Sequence, residues 1–130
     1  MEKISYDDAV EEIASRDDRF DVGGYVFLRE TLDYTIRMVR PTKKDPKSGG
    51  HVSGQQLLEG FRRCAVKNFG PMAITVLDEW GIRSTDDVGD MVFNLIEAEV
   101  FGKTDNDSKQ DFASVYDFNE VFVTPFEPKA

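Results

Sequence analysis

Apolar residues recur three and four positions apart along much of the chain, which is the spacing of one buried face of an α-helix. Stretches with this spacing predict about five helices. The buried faces, in chain order, are predicted to contain Tyr6, Val10 and Ile13; Tyr25, Leu28, Leu32, Ile36 and Val39; Leu57, Leu58, Phe61 and Ala65; Ala73, Val76, Leu77 and Trp80; and Val88, Met91, Val92, Leu95 and Ile96.

Capping residues and prolines mark the ends of these helices. Ser5, Ser53 and Ser84 stand where a side-chain oxygen can accept a backbone N–H of the first turn. Gln56 follows Ser53 by three residues, so the two can form a reciprocal capping box. Pro41 is expected to end the second helix, because proline disfavours helical geometry in the residue before it.

The pattern changes after Gly102, where a polar connection leads into an aromatic-rich C-terminal segment. The apolar spacing there is too irregular for a helix, and the run Glu-Val-Phe-Val at 120–123 favours a strand. We therefore expect an α+β fold, mainly α, of about five helices with a short C-terminal strand or hairpin. Capped helices followed by strands over 53–126 would also suit a winged-helix-like C-terminal half.

Length and composition predict one soluble domain. The 130 residues fit a single domain over 1–130, and 40% hydrophobic residues suffice for a core. Prolines, glycines and lysines over 41–51 predict a mobile basic loop. No apolar run approaches the roughly 20 residues that cross a bilayer, and the acidic N-terminus is atypical of a secretory signal. We expect a cytoplasmic protein without a membrane partner.

Charge is distributed unevenly along the sequence. The net charge is −9, and residues 78–130 hold 13 acidic residues against four basic ones. The stretch 37–67 holds eight basic residues and two acidic ones. We expect an electrically lopsided molecule if these stretches stay apart in the fold. The helix that would read DNA in a winged-helix unit, 86–100, is acidic, which argues against nucleic acid as a partner.

Candidate catalytic and metal-binding residues are sparse. Cys64 is the only cysteine, so an intrachain disulfide and a cysteine-based zinc site are excluded. Its thiol is either activated by neighbouring arginines or packed as a small hydrophobe, and the second interpretation is preferred. The acidic run 105–111 lacks the ligand spacing of a calcium-binding loop. We predict no metal and no cofactor, and a non-enzymatic role is favoured.

Two functional hypotheses follow from the remaining features. The preferred one is a non-enzymatic protein-binding or regulatory module that uses its charged faces or an aromatic C-terminal surface with Phe122 and Phe126. The alternative is a small enzyme or anionic-ligand-binding protein with a site near His51, Arg62 and Arg63. A histidine can act as a general base near neutral pH, but no nucleophile is marked close to this one.

A third hypothesis is a winged-helix-like protein associated with nucleic acid. It depends on the basic stretch 37–67, in which Lys43, Lys44 and Lys47 would contact phosphates. It predicts binding that weakens with salt and with substitution of these lysines.

Four strings carry a resemblance to known proteins. They are Tyr-Val-Phe-Leu-Arg-Glu-Thr-Leu-Asp-Tyr-Thr at 25–35, His-Val-Ser-Gly-Gln-Gln-Leu-Leu-Glu-Gly at 51–60, Phe-Gly-Pro-Met-Ala at 69–73, and Asp-Asp-Val-Gly-Asp-Met-Val-Phe-Asn-Leu-Ile-Glu at 86–97. With these strings, residues 5–126 resemble a family of small uncharacterised bacterial proteins. The resemblance implies a bacterial cytoplasmic origin and brings no activity, cofactor or catalytic residue.

Overall fold

Helices make up the regular structure of residues 5–39, 52–100 and 108–128, the three ranges that the computed structural model describes. The α-helices are α1 (Tyr6–Arg16), α2 (Val22–Val39), α3 (Gly54–Phe69), α4 (Ala73–Glu79), α5 (Thr85–Glu97) and α6 (Phe118–Phe122). Short 3₁₀ turns occupy Gly70–Met72, Lys109–Phe112 and Thr124–Phe126. Five of these α-helices have at least seven residues, in agreement with the predicted number.

The predicted helix caps are present. Ser5 Oγ accepts the amide N–H of Asp8 at 3.1 Å, and Ser84 caps α5 in the same way. Ser53 Oγ accepts the Gln56 amide at 3.0 Å, while Gln56 Oε1 accepts the Ser53 amide at 2.9 Å. The capping box is therefore confirmed, and these ends satisfy backbone N–H groups that a helix leaves unpaired.

The helices α2 and α3 pack antiparallel, in very close contact. Thr35 of α2 lies against Gly60 of α3, where an added Cβ would be only 1.9 Å from the threonine Oγ1. One turn away, Thr31 neighbours Cys64, and a turn further on the rings of Phe27 and Phe69 meet at 5.3 Å. Since residue numbers fall along α2 as they rise along α3, the two helices form a hairpin whose backbones approach closely.

One hydrophobic core joins all three described ranges. It contains most of the predicted apolar faces, and its largest fully buried side chains are Tyr25, Phe61, Phe122, Ile13, Leu28, Leu58, Leu77, Ile82, Met91 and Leu95. Burial of such side chains contributes about 1.5–3 kcal/mol each to folding. The single domain predicted for residues 1–130 stays a prediction, because the loop predicted over 41–51 lies outside the described residues.

The predicted C-terminal strand or hairpin is wrong. No strand occurs in the described part of the chain, which is all helical rather than α+β. Asp117 accepts the amide N–H of Glu120 and so caps α6, while Phe118 and Phe122 meet at 5.0 Å one helical turn apart. Burial of both rings on one helix face outweighs the strand preference of Val and Phe, which depends strongly on context.

The C-terminal segment is held to the long helices by buried hydrogen bonds. Thr85 Oγ1 of α5 donates to the Phe112 carbonyl at 2.6 Å. The Tyr116 hydroxyl donates to the Leu58 carbonyl of α3 at 2.7 Å. Residues 108–128 thus pack on α5 and α3 as turns and a short helix, and they supply no wing for a winged-helix domain.

Candidate functional site

Positive charge is concentrated in the α2–α3 hairpin. The segment 22–69 holds nine basic and four acidic residues, whereas the rest of the chain holds seven basic and 21 acidic ones. Its two helices contact each other directly, and their described residues, 22–39 and 52–69, hold five basic and three acidic residues. The described part of the hairpin therefore carries a small excess of positive charge in a protein whose net charge is negative.

Three side chains of α3 form what we call the arginine cluster: Glu59, Arg62 and Arg63. Arg62 donates from Nε to Glu59 Oε1 at 3.0 Å and from Nη2 to Oε2 at 2.5 Å, a side-on pair. Arg63 donates from Nε to the same Oε2 at 2.8 Å. The spacing of three and four residues places these groups on one helix face. One carboxylate thereby orients two guanidinium groups.

The cluster keeps a net positive charge at neutral pH. Hydrogen bonds from Arg62, and then from Arg63, lower the pKa of Glu59 to about 2, so its carboxylate is ionised. Two guanidinium charges against one carboxylate leave one positive charge. The side chains of Arg62 and Arg63 are 33% and 50% exposed, so both guanidinium groups are partly open to solvent.

A tyrosine lies on each side of the cluster. Tyr34 of α2 neighbours Arg63 across the helix interface and helps to raise the pKa of that guanidinium, after the larger effect of Glu59. Tyr116 lies near Arg62, and burial raises the pKa of its phenol, which keeps it neutral. The ring of Tyr116 packs against Phe118 at 6.1 Å.

Positive side chains continue along the hairpin beyond the cluster. Arg37 of α2 and Lys67 of α3 are exposed, and both lie near Cys64, where their charges oppose the larger effect of burial, which raises the pKa of the thiol. We call Arg37, Arg62, Arg63 and Lys67 the basic face. Glu30 also borders Cys64, so the face is mixed but positive.

The residues predicted from sequence to form a site lie in different places in the structure. The fold brings Arg62 and Arg63 together on the basic face. Phe122 is completely buried, so its side chain belongs to the core, whereas Phe126 is 38% exposed. His51 and the predicted loop lysines, Lys43, Lys44 and Lys47, lie outside the described residues.

Glu59 and Tyr34 were not among the predicted site residues. The sequence does contain a signal for Glu59, because a glutamate three and four residues before two arginines is the spacing of helical ion pairs. Tyr34 carries no such signal, since its approach to Arg63 depends on how α2 packs against α3.

The lone thiol belongs to the core. Cys64 is 6% exposed, and burial raises its pKa, so the thiol is protonated at neutral pH. This agrees with the interpretation of Cys64 as a packed hydrophobe. Within residues 5–39, 52–100 and 108–128, no group of three or more His, Cys, Asp or Glu side chains is arranged to hold a metal ion.

Acidic residues near the end of α1 have a structural role. Arg19 donates to Asp17 at 2.8 Å and to Asp90 of α5 at 3.1 Å. Asn94 donates to Asp17 at 3.2 Å and to the Tyr25 hydroxyl at 3.0 Å. The Arg19 hydrogen bonds hold the pKa of Asp17 well below its usual range. This network connects α1, α2 and α5, and it gives Asp17 and Asp90 a structural role.

A shallow cleft of about 330 Å³ lies where the start of α1 meets α2. Its walls are formed by Ser5, Tyr6, Asp7, Val26, Arg29 and Glu30. The Arg29 guanidinium lies 5.2 Å from the centre of the Tyr6 ring, and the Tyr6 hydroxyl donates to the Tyr25 carbonyl. The cleft has both charge signs on its rim and does not include the arginine cluster.

Comparison with protein-family models, curated proteins and solved structures finds no match to the chain. The resemblance to small bacterial proteins therefore stays a prediction. Among the helices that the structure describes, none is both long enough and apolar enough to cross a membrane.

Proposed function

We propose that this protein is a non-enzymatic protein-binding module whose contact surface is the basic face of the α2–α3 hairpin. The observation that carries this proposal is the arginine cluster. Two partly exposed guanidinium groups are oriented by a single carboxylate. Arginine is enriched at protein interfaces, where its planar fork gives directional contacts.

The charge distribution favours a protein over a nucleic acid as the partner. A nucleic acid is a polyanion along its whole length, so the 21 acidic residues outside the hairpin would repel it. A partner protein can present a local acidic surface that matches the basic face.

The hypothesis that aromatic residues of the C-terminal segment form the contact surface loses support in this structure. Phe118 and Phe122 are buried in the protein's own core, and of the two predicted contact residues only Phe126 remains at the surface. A non-enzymatic role agrees with the state of the lone thiol, which is buried and protonated. The basic face is therefore the better candidate for the contact surface.

The proposal can be tested by affinity capture from native cell extract with the full chain as bait. The Arg37→Gln/Lys67→Gln variant removes two positive charges from the basic face, and Arg16→Gln/Arg83→Gln removes two from exposed positions elsewhere. We expect wild type and the second variant to retain a common protein that the first variant loses. Retention should also fall in about 0.5 M salt. Equal capture by both variants, or no specific capture at all, would contradict the proposal.

A further inference from the structure

We propose that the arginine cluster binds one carboxylate side chain from an acidic segment of the partner protein, with Glu59 remaining in place as a positioning residue. This inference rests on the proposed function and specifies the chemical group that the basic face recognises.

The geometry of the cluster leaves room for a second anion. In the described residues, Glu59 is the carboxylate that pairs with Arg62 and Arg63, and it accepts three hydrogen bonds from them. Arg63 uses its Nε for this contact, and a further hydrogen bond joins its side chain to Tyr34, so part of its guanidinium edge remains without a contact to either residue. Arg62 uses Nε and Nη2, which leaves Nη1. A planar carboxylate can therefore bind the outer edges of the guanidinium groups without displacing Glu59.

Charge selects a carboxylate over a phosphate. With Glu59 ionised, the cluster carries one positive charge, which a single carboxylate neutralises. A phosphate close to its dianionic form would bring nearly a second negative charge beside the Glu59 carboxylate. The Glu59 carboxylate therefore has two effects. It holds the two arginines in position, and its negative charge makes the cluster prefer a ligand with a single negative charge. Tyr116 borders the site near Arg62, and burial keeps its phenol neutral, so it adds no competing charge.

The acidic ligand is expected to be a protein segment rather than a free small acid. The cluster lies on an exposed helix face, and a carboxylate that binds there keeps much of its contact with water. Exposed ion pairs contribute little individually, typically about 0–1 kcal/mol. Useful affinity therefore requires further contacts from the same partner, which Arg37 and Lys67 on the basic face can supply.

The test measures binding of a labelled, capped peptide of alternating glutamate and alanine to the full chain, with its glutamine counterpart as a blank. We expect Arg62→Gln and Arg63→Gln each to weaken binding about fivefold. Arg16→Gln is the matched control, because Arg16 forms an Arg–Glu pair of the same four-residue spacing on α1. It should change binding less than about twofold. Equal loss in Arg16→Gln and Arg63→Gln would overturn the assignment.

Two further variants test geometry and charge. Arg63→Lys keeps the positive charge and removes the planar fork, so it should bind the peptide as weakly as Arg63→Gln. Full binding by Arg63→Lys would refute recognition by the guanidinium. Inorganic phosphate at matched ionic strength should not compete in wild type and should compete in Glu59→Gln. Competition of equal strength in both proteins would refute the role of Glu59 in selecting a carboxylate. Circular dichroism checks that every variant is folded.

Capture of the native partner by two double variants distinguishes failure of this inference from failure of the proposed function. If Arg62→Gln/Arg63→Gln still captures the partner while Arg37→Gln/Lys67→Gln does not, the basic face is the interface and the carboxylate assignment is wrong. If both variants capture it as well as wild type does, the basic face is not the interface.

Discussion

Replacement of Gly60 by alanine should destabilise the protein through one steric contact. A Cβ at this position would lie 1.9 Å from Thr35 Oγ1 and 3.0 Å from Thr35 Cβ. Thr35 is completely buried, and its hydroxyl donates to the Thr31 carbonyl at 2.7 Å. The added methyl group must therefore push α2 and α3 apart or rotate the threonine away from its hydrogen bond.

The expected size of the effect follows from three contributions. Overpacking of a core contact costs about 1–3 kcal/mol, and loss of the Thr35–Thr31 hydrogen bond costs about 1 kcal/mol more. Alanine offsets about 1 kcal/mol of this, because it favours the helix more than glycine does. Gly60→Ala should lower the free energy of unfolding by about 1–3 kcal/mol.

Urea denaturation followed by circular dichroism and by the fluorescence of Trp80, the only tryptophan, measures this change. Gly24→Ala is the matched control in α2. Its added Cβ would meet Ile82 Cδ1 at 3.1 Å and Met91 Cε at 3.3 Å, both at the ends of flexible side chains. It should stay within about 1 kcal/mol of wild type.

A double-mutant cycle identifies the atom responsible. Thr35→Ala removes the hydroxyl that the new methyl group strikes, so the double variant Gly60→Ala/Thr35→Ala should be less destabilised than the sum of the single variants, by about 1 kcal/mol or more. If Gly60→Ala is as stable as wild type, or if the cycle is additive, the close approach of α2 and α3 at this point is refuted.

Three other predictions concern local features. Ser53→Ala should lower the free energy of unfolding by about 1 kcal/mol, seen in urea titration, because the capping box is lost; an unchanged midpoint would contradict the cap. Glu59 has a lowered pKa, so the stability it contributes is present above pH 4.5 and is lost as the pH falls towards 2. The difference in melting temperature between wild type and Glu59→Gln should therefore shrink over that range. A constant difference would argue against the pairing of Glu59 with the arginines. Cys64 should react with a thiol reagent only as the protein unfolds, so rapid labelling of the native protein would contradict its burial.

The arginine cluster illustrates how much of the candidate site was accessible from sequence. Arg62 and Arg63 were singled out by charge, and Glu59 stands at the three- and four-residue spacing that makes helical ion pairs. Their contacts depend on α3 alone, so local spacing was sufficient. The border formed by Tyr34 and Tyr116 required the packing of two other elements against α3.

The C-terminal segment illustrates the opposite case. Valine and phenylalanine in 120–123 have strand preference, yet the segment forms α6 because Phe118 and Phe122 find a buried surface when they lie one turn apart. That surface is formed by residues distant in sequence, so it cannot be predicted from the residues of the segment itself. The same burial decided that Phe122 supports the core, whereas the sequence alone had offered it as a contact residue.

The sequence by itself determined the capped helix starts, most of the apolar faces and the uneven charge, because each depends on residues within a few positions of one another. The face of α2 is the exception, since Phe27, Thr31 and Thr35 are buried there and the predicted Leu32, Ile36 and Val39 are only partly buried. Tertiary structure decided which faces meet: Thr35 against Gly60, the thiol of Cys64 inside the hairpin, and the aromatic segment folded as a helix. These outcomes depend on long-range packing, where burial of a large side chain outweighs the smaller differences in local preference.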